Sequence, residues 1–132
     1  MTIHKVKPED SAELSILCQR IYVQHFLYLW TDSGEWYMNK VYNETQLSQE
    51  IADNNSDYFF YKIDNQLIGY LKINYSKNLE GEENADCLEI ERIYFLKEFA
   101  GKGLGKQLMN FALDIAQKLK HLWLFQILTY PI

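Results

Sequence analysis

Residues 87–120 read CLEIERIYFLKEFAGKGLGKQLMNFALDIAQKLK, and this stretch decides the fold. A run of strand character, Leu88–Leu96, gives way to a turn in which Gly101, Gly103 and Gly105 alternate with Lys102, Leu104 and Lys106. An amphipathic helix follows, with Leu104, Leu108, Phe111, Ala112, Ile115 and Leu119 forming one apolar stripe. That stripe reads as core. Glycine admits positive φ and lets a ligand come close to main-chain N–H groups. The first turn of a helix carries unpaired N–H donors at the positive end of its dipole. The turn is therefore a candidate pyrophosphate cradle flanked by lysines, or else a surface loop with solvated lysines. Two phosphate motifs are excluded. A Walker A loop would put its first glycine at Ala100 and its hydroxyl at Gln107, and the Rossmann spacing fails because the three glycines recur every second residue.

On the preceding strand a period of two places Glu89, Glu91, Ile93 and Phe95 on one face and Leu88, Ile90, Arg92 and Tyr94 on the other. Two carboxylates leading into such a turn are costly if buried, unless they are paired or used. An ion pair to Arg92 or to a lysine is the structural alternative to a chemical role.

Upstream, Thr2–Lys7 reads as a short strand stopped by Pro8, and Pro-Glu-Asp-Ser opens a helix whose Leu14, Leu17, Cys18, Ile21 and Tyr22 share a face. From Phe26 the chain is rich in aromatics around Asp32-Ser33-Gly34, including Tyr28, Trp30, Trp36, Tyr37 and Tyr42; core packing plus a turn is one reading. A second helix begins with Asn43 or Thr45 as its cap and ends near Asn54-Asn55. Tyr58–Ile63 and Leu67–Tyr75 form a hairpin around Asp64-Asn65, with Gly69 marking a bulge or a close backbone approach. Lys77–Asp86 is expected to be a polar, solvated loop, and the segment from His121 a strand parallel to Leu88–Leu96.

The 132 residues, 48% hydrophobic and 23% charged, suit one globular domain. No apolar run approaches a membrane span, and the N-terminus does not resemble a signal peptide. Cys18 and Cys87 show no metal or redox spacing and point to a reducing, cytoplasmic setting; scattered His4, His25 and His121 offer no zinc site, so no metal is expected. A net charge of −5 argues against a nucleic-acid partner and mildly favours a cationic one.

The stretch Ala100–Gly105 resembles the Q/R-x-x-G-x-G/A motif of the GNAT family of N-acetyltransferases, and LEIERIYF resembles that family's fourth strand. The order of elements from Met1 to about Leu124 is similar too, and within the family the chain looks closest to bacterial spermidine/spermine acetyltransferases. The resemblance implies an α/β fold (α+β, with a mixed central sheet flanked by helices) and acetyl-CoA as co-substrate. An ammonium cannot attack a thioester, so a base must take its proton, and a partly buried glutamate with a raised pKa suits that task. By resemblance Glu89 is that base and Glu91 its alternate. The main chain of Ile93, Tyr94 and Phe95 would bind the pantetheine arm, and Ala100, Gly101, Lys102, Gly103, Leu104, Gly105 and Lys106 the pyrophosphate. Ala100 stands where the family has Gln or Arg, a position that works largely through its backbone amide. Tyr28, Trp30, Trp36 and Tyr37 would line the acceptor site, suiting a polyamine through cation–π and ion-pair contacts.

After Leu124 the match ends, so a C-terminally incomplete domain is expected, without the family's last helix and strand and its acid tyrosine. Tyr130 beside Pro131 is no substitute. Exposure of the last strand would then favour a homodimer. Alongside polyamine acetylation stand two alternatives: an impaired CoA-binding remnant of the same fold, and a peptide or protein N-acetyltransferase.

Overall fold

Tyr58, Phe59, Phe60 and Tyr61 are all buried, so this one strand faces core on both sides and sets the layering. The computed structural model describes residues 2–26, 34–79, 82–119 and 122–125, with side-chain surroundings for those at 2–26, 34–75 and 87–119. The elements run β1 (Thr2–Lys5), α1 (Ser11–Phe26), α2 (Glu35–Val41), α3 (Glu44–Ala52), β2 (Ser56–Ile63), β3 (Gln66–Leu79), β4 (Glu82–Phe95), α4 (Leu104–Leu119) and β5 (Leu122–Phe125). Short 3-10 turns at Pro8–Asp10 and Lys97–Phe99 precede α1 and the glycine turn. The sheet order is β1-β2-β3-β4-β5, antiparallel through β4, with β5 parallel to β4. It is a mixed α/β fold.

Tyr58, Phe60 and Tyr70 pack with Leu14, Ile21 and Leu47 from α1 and α3. Phe59, Leu71, Ile73 and Ile90 pack on the other face with Leu108 and Ala112 of α4. The helices thus lie on both faces of the sheet, each burying the stripe its sequence marks out. Within the α4 stripe Leu108 and Ala112 are fully buried and Leu104, Phe111 and Ile115 half-buried, whereas Leu119 at its end is exposed and not core.

Local signals act where they were expected. The Asn43 side chain accepts from the Gln46 N–H at 2.7 Å and caps α3. Asp64 and Asn65 both take positive φ, 50° and 63°, as a two-residue hairpin turn requires. Gly69 serves both purposes considered for it. The register shifts between Tyr61 and Lys62 across from it, and a Cβ on Gly69 would lie 2.5 Å from the Phe95 ring and 2.8 Å from the Tyr94 carbonyl.

Three expectations change. β1 ends at Lys5 rather than Lys7. Within Lys77–Asp86 the described residues, 77–79 and 82–86, are strand rather than loop: Lys77 pairs with Cys87 and Asn78 with Asp86, so the hairpin continues into this polar stretch. Backbone ladders do not depend on side-chain polarity, and the pairing already set by the inner strands carries outward. The third change concerns β4. Lys72 pairs with Arg92 but Ile73 pairs with Ile90, which leaves Glu91 as an extra residue in a bulge. The two-residue alternation therefore breaks there. Leu88, Ile90, Ile93 and Phe95 all join the α4-side core, so the expected grouping of Ile93 and Phe95 with the glutamates is not what forms.

Candidate active site

Two parts of the site meet on β4. The first is its edge. The Leu96 N–H donates to the Ile68 carbonyl at 2.8 Å, so Leu96 faces β3. Alternation in the antiparallel ladder then turns the N–H and C=O of Ile93 and Phe95 to the opposite edge, with Tyr94 facing β3. The described pairing with β5 stops at Ile90↔Phe125, short of these groups. From this edge the chain passes through the Lys97–Phe99 turn to Gly101 and Gly103, with φ of 78° and 79°. A Cβ at either glycine would meet nothing within 4 Å, so glycine is needed for its backbone conformation and the space outside is open. Leu104 begins α4, Gly105 is buried in its first turn, and Lys102 and Lys106 are exposed. The Lys102 ammonium lies over the Phe99 ring, 5.7 Å from its centroid. The Ala100 N–H, expected at the pyrophosphate, closes the preceding turn on the Lys97 carbonyl at 3.2 Å. Edge amides, a positive-φ glycine turn and a helix start with flanking lysines fit an extended amide chain ending in a pyrophosphate.

The second part is a polar cluster on the α1–α3 side, made possible by the bulge. Asn74 Nδ2 lies 2.5 Å from Glu89 Oε1 and 3.1 Å from Glu91 Oε1, while Asn74 Oδ1 accepts from Ser56 at 2.6 Å. Glu89 is only 2% exposed. Glu91 belongs to a closed ring. Lys72 Nζ bridges Glu50 at 2.7 Å and Glu91 at 3.0 Å; Arg92 Nε lies 3.2 Å from Glu91. Arg92 Nη1 donates to the Tyr58 hydroxyl at 2.8 Å, and that hydroxyl donates to Glu50 at 2.7 Å. Burial alone would push the Glu91 carboxyl up, but the charges of Arg92 and Lys72 and hydrogen bonds from Asn74 and Lys72 outweigh it and hold Glu91 below its ordinary value. Glu50 is likewise held low: burial raises it, and hydrogen bonds from Lys72, Gln46 and Tyr58 win. The raised pKa expected of a partly buried base is therefore not what Glu91 has; it is an ion-paired carboxylate. Among the described residues no group of three or more His, Cys, Asp or Glu could hold a metal.

The aromatic segment is only partly within the described residues: Tyr28 and Trp30 lie outside them. Tyr37 stacks on Tyr22 at 4.9 Å and meets Tyr42 edge-on at 5.9 Å. Arg92 sits over the Tyr42 ring, 5.2 Å from its centroid, which ties the aromatic layer to the polar ring. Trp36 points outward, 59% exposed, with Lys40 over its ring at 5.1 Å. Burial pushes the Tyr94 phenol up to about 12, with Arg92 opposing and Tyr37 and Glu91 adding to the rise. Sequence reading missed Glu50, Tyr58, Lys72 and Asn74. A single lysine inside the apolar run LIGYLKI was the one local sign of Lys72; Glu50 lies on a polar helix and carries none.

The pattern of the acetyltransferase (GNAT) family matches residues 17–128. The chain belongs to that family. An uncharacterized N-acetyltransferase of Lactobacillus delbrueckii subsp. lactis is 43% identical over 76 residues, a match that spans 58% of this chain and 44% of that protein. The match thus spans less than half of that relative. The crystal structure of PaiA N-acetyltransferase from Thermoplasma acidophilum, in complex with coenzyme A, superposes with a TM-score of 0.79 at 19% identity, covering 99% of this GNAT chain and 82% of that one. A ribosomal-protein-alanine N-acetyltransferase from Brucella melitensis biovar Abortus gives 0.70 at 16% identity over 98% and 82%. At these identities the likeness establishes the GNAT fold.

Proposed function

We propose that this GNAT protein transfers acetyl from acetyl-CoA to a primary amine, with a polyamine such as spermidine or spermine as acceptor. The observation that carries the reading is the β4 bulge at Glu91. It leaves the backbone of Ile93 and Phe95 on the edge away from β3, beyond the described pairing with β5 and leading to the glycine turn, and it keeps Glu89 and Glu91 together on the α1–α3 face beside Asn74. Acetyl-CoA supplies an activated acyl group whose C–S bond breaks as the amine nitrogen bonds to the carbonyl carbon. Edge amides of Ile93 and Phe95 bind the arm by strand addition, and the N–H groups at Gly101–Gly105 with Lys102 and Lys106 receive the pyrophosphate.

Glu89 takes the amine's proton, directly or through water. Glu91, kept ionised by Lys72 and Arg92, is a poor base and its charge is compensated by them; the half-buried Tyr37 and Tyr94 rings favour a cationic acceptor. Buried free Cys18 and Cys87 are in keeping with a reducing compartment.

The test is calorimetric titration with acetyl-CoA followed by an acceptor screen that measures thiol release. Saturable one-per-chain binding, and release with spermidine or spermine above the no-amine background, is the expected result. Acetylated peptide with polyamines untouched would replace the acceptor assignment. Binding without turnover on any amine would favour an impaired CoA-binding protein, and no binding by folded protein would refute the reading.

A further inference from the structure

The last turn of α1 is laid across the end of β4. Gln24 Oε1 accepts from the Lys97 N–H at 2.7 Å, His25 Nε2 lies 2.9 Å from the Phe95 carbonyl oxygen, and Phe26 meets Tyr94 edge-on at 5.7 Å. Three successive helix residues thus engage positions 97, 95 and 94 in reverse order. A carbonyl only accepts, so Nε2 of His25 carries a proton. His25 is 5% exposed, so the bond is shielded from water.

The Phe95 carbonyl is no ordinary acceptor. By the ladder alternation it points to the same edge, away from β3 and beyond the described pairing with β5, as the Ile93 groups and the Phe95 N–H. An extended amide chain adding to that edge would use the N–H and C=O of alternate residues in turn. At Phe95 the carbonyl already accepts from the buried imidazole, which competes with the next donor of an added chain. Strand addition then uses the Phe95 N–H and stops short of that carbonyl.

We infer that His25 is a positioning residue that sets the register of the pantetheine arm, by occupying the edge-facing carbonyl of Phe95 and so fixing how far the acyl group reaches along β4. The inference rests on the acetyl-CoA reading above. One register step on an edge is two residues, about 6.7 Å. A reacting carbon must sit within roughly 3–3.5 Å of its nucleophile, so an arm displaced by one step is unproductive. His25 contributes to catalysis without touching the reacting atoms.

The test compares CoA-bound crystal structures and calorimetric titrations of the wild-type chain, His25→Leu and His25→Gln. Gln carries a donor at the place of Nε2, and Leu keeps bulk without a donor. In the wild type the arm should pair with Ile93 and the Phe95 N–H and stop there. In His25→Leu it should shift by about 6.7 Å or occupy two registers. The CoA dissociation constant should be unchanged or up to about fivefold lower, because the released carbonyl offers one more hydrogen bond. Turnover with spermidine should fall in that variant while affinity does not, and His25→Gln should restore the wild-type register. A merely structural role would weaken binding and leave the arm where it was. An identical arm position in wild type and His25→Leu overturns the inference and leaves the acetyl-CoA reading intact. Absence of CoA binding in folded wild-type protein overturns both. Should the Leu variant fail to fold, His25→Asn, too short to reach Phe95, is compared in the same way.

Discussion

Replacing Lys72 by methionine removes a cation that bridges Glu50 on α3 and Glu91 in the β4 bulge. The Lys72 side chain is 9% exposed, and its partners at 2.7 and 3.0 Å are 17% and 23% exposed. Breaking a fully buried pair costs about 3–5 kcal/mol; with partners this accessible to water the cost falls to about 2–4 kcal/mol. Unfolding entropy of roughly 2.1 cal/mol/K per residue makes each kcal/mol worth about 3–4 °C in a chain of this size. The expected loss at pH 7 is then about 7–14 °C in melting temperature.

The pH dependence is more telling. In the wild type Glu50 and Glu91 are held below their ordinary value, so their stabilisation is present above the unfolded carboxylate range and disappears as pH falls through the depressed folded values. Without Lys72 the burial contribution, which raises both groups, loses its main opponent at Glu50 and one of two charges opposing it at Glu91. The melting temperature of Lys72→Met should therefore recover toward that of the wild type between pH 7 and pH 4.5. Thermal denaturation followed by circular dichroism from pH 4.5 to 8 measures this. A loss under about 3 °C at pH 7, or a constant offset between the two profiles, would refute the claim that Lys72 holds both carboxylates charged.

Glu89→Gln should slow amine acetylation by about 100-fold or more while changing acetyl-CoA affinity by less than about threefold, as seen in steady-state rates and calorimetry; unaltered turnover would remove Glu89 from the mechanism. Gly103→Ala imposes positive φ on a side-chain residue, a strain of about 1–2 kcal/mol, so CoA binding should weaken roughly 5- to 30-fold with little change in kcat on saturation. Gly69→Ala has no room against the Phe95 ring and the Tyr94 carbonyl. It should lower the melting temperature and displace the Phe95 edge, raising the KM for acetyl-CoA; a KM equal to that of the wild type would mean that this edge is not the binding surface.

What could be read from the residues was what neighbouring residues decide among themselves. Positive φ at Gly101 and Gly103, the cap at Asn43, the two-residue turn at Asp64-Asn65 and the α4 stripe each depend on a few adjacent positions, so sequence alone determined them. The family and its glycine turn followed from the same local signals. Register was different. Whether Glu91 continues the alternation of β4 or stands out of it depends on how Lys72 and Ile73 pair from another strand, and that pairing reflects the packing of both sheet faces. The bulge put Ile93 and Phe95 under α4 and let Glu91 meet Lys72 and Asn74 of the neighbouring strand as well as Arg92 beside it on β4. Glu50 meets Lys72 across 22 residues of chain and His25 meets Phe95 across 70, each through a hydrogen bond or ion pair that no local pattern encodes. Glu89, Glu91 and the glycine turn could thus be singled out from the sequence, whereas Glu50, Tyr58, Lys72 and Asn74, and with them the charge state of Glu91, emerged only when the sheet chose its register and the helices closed over it.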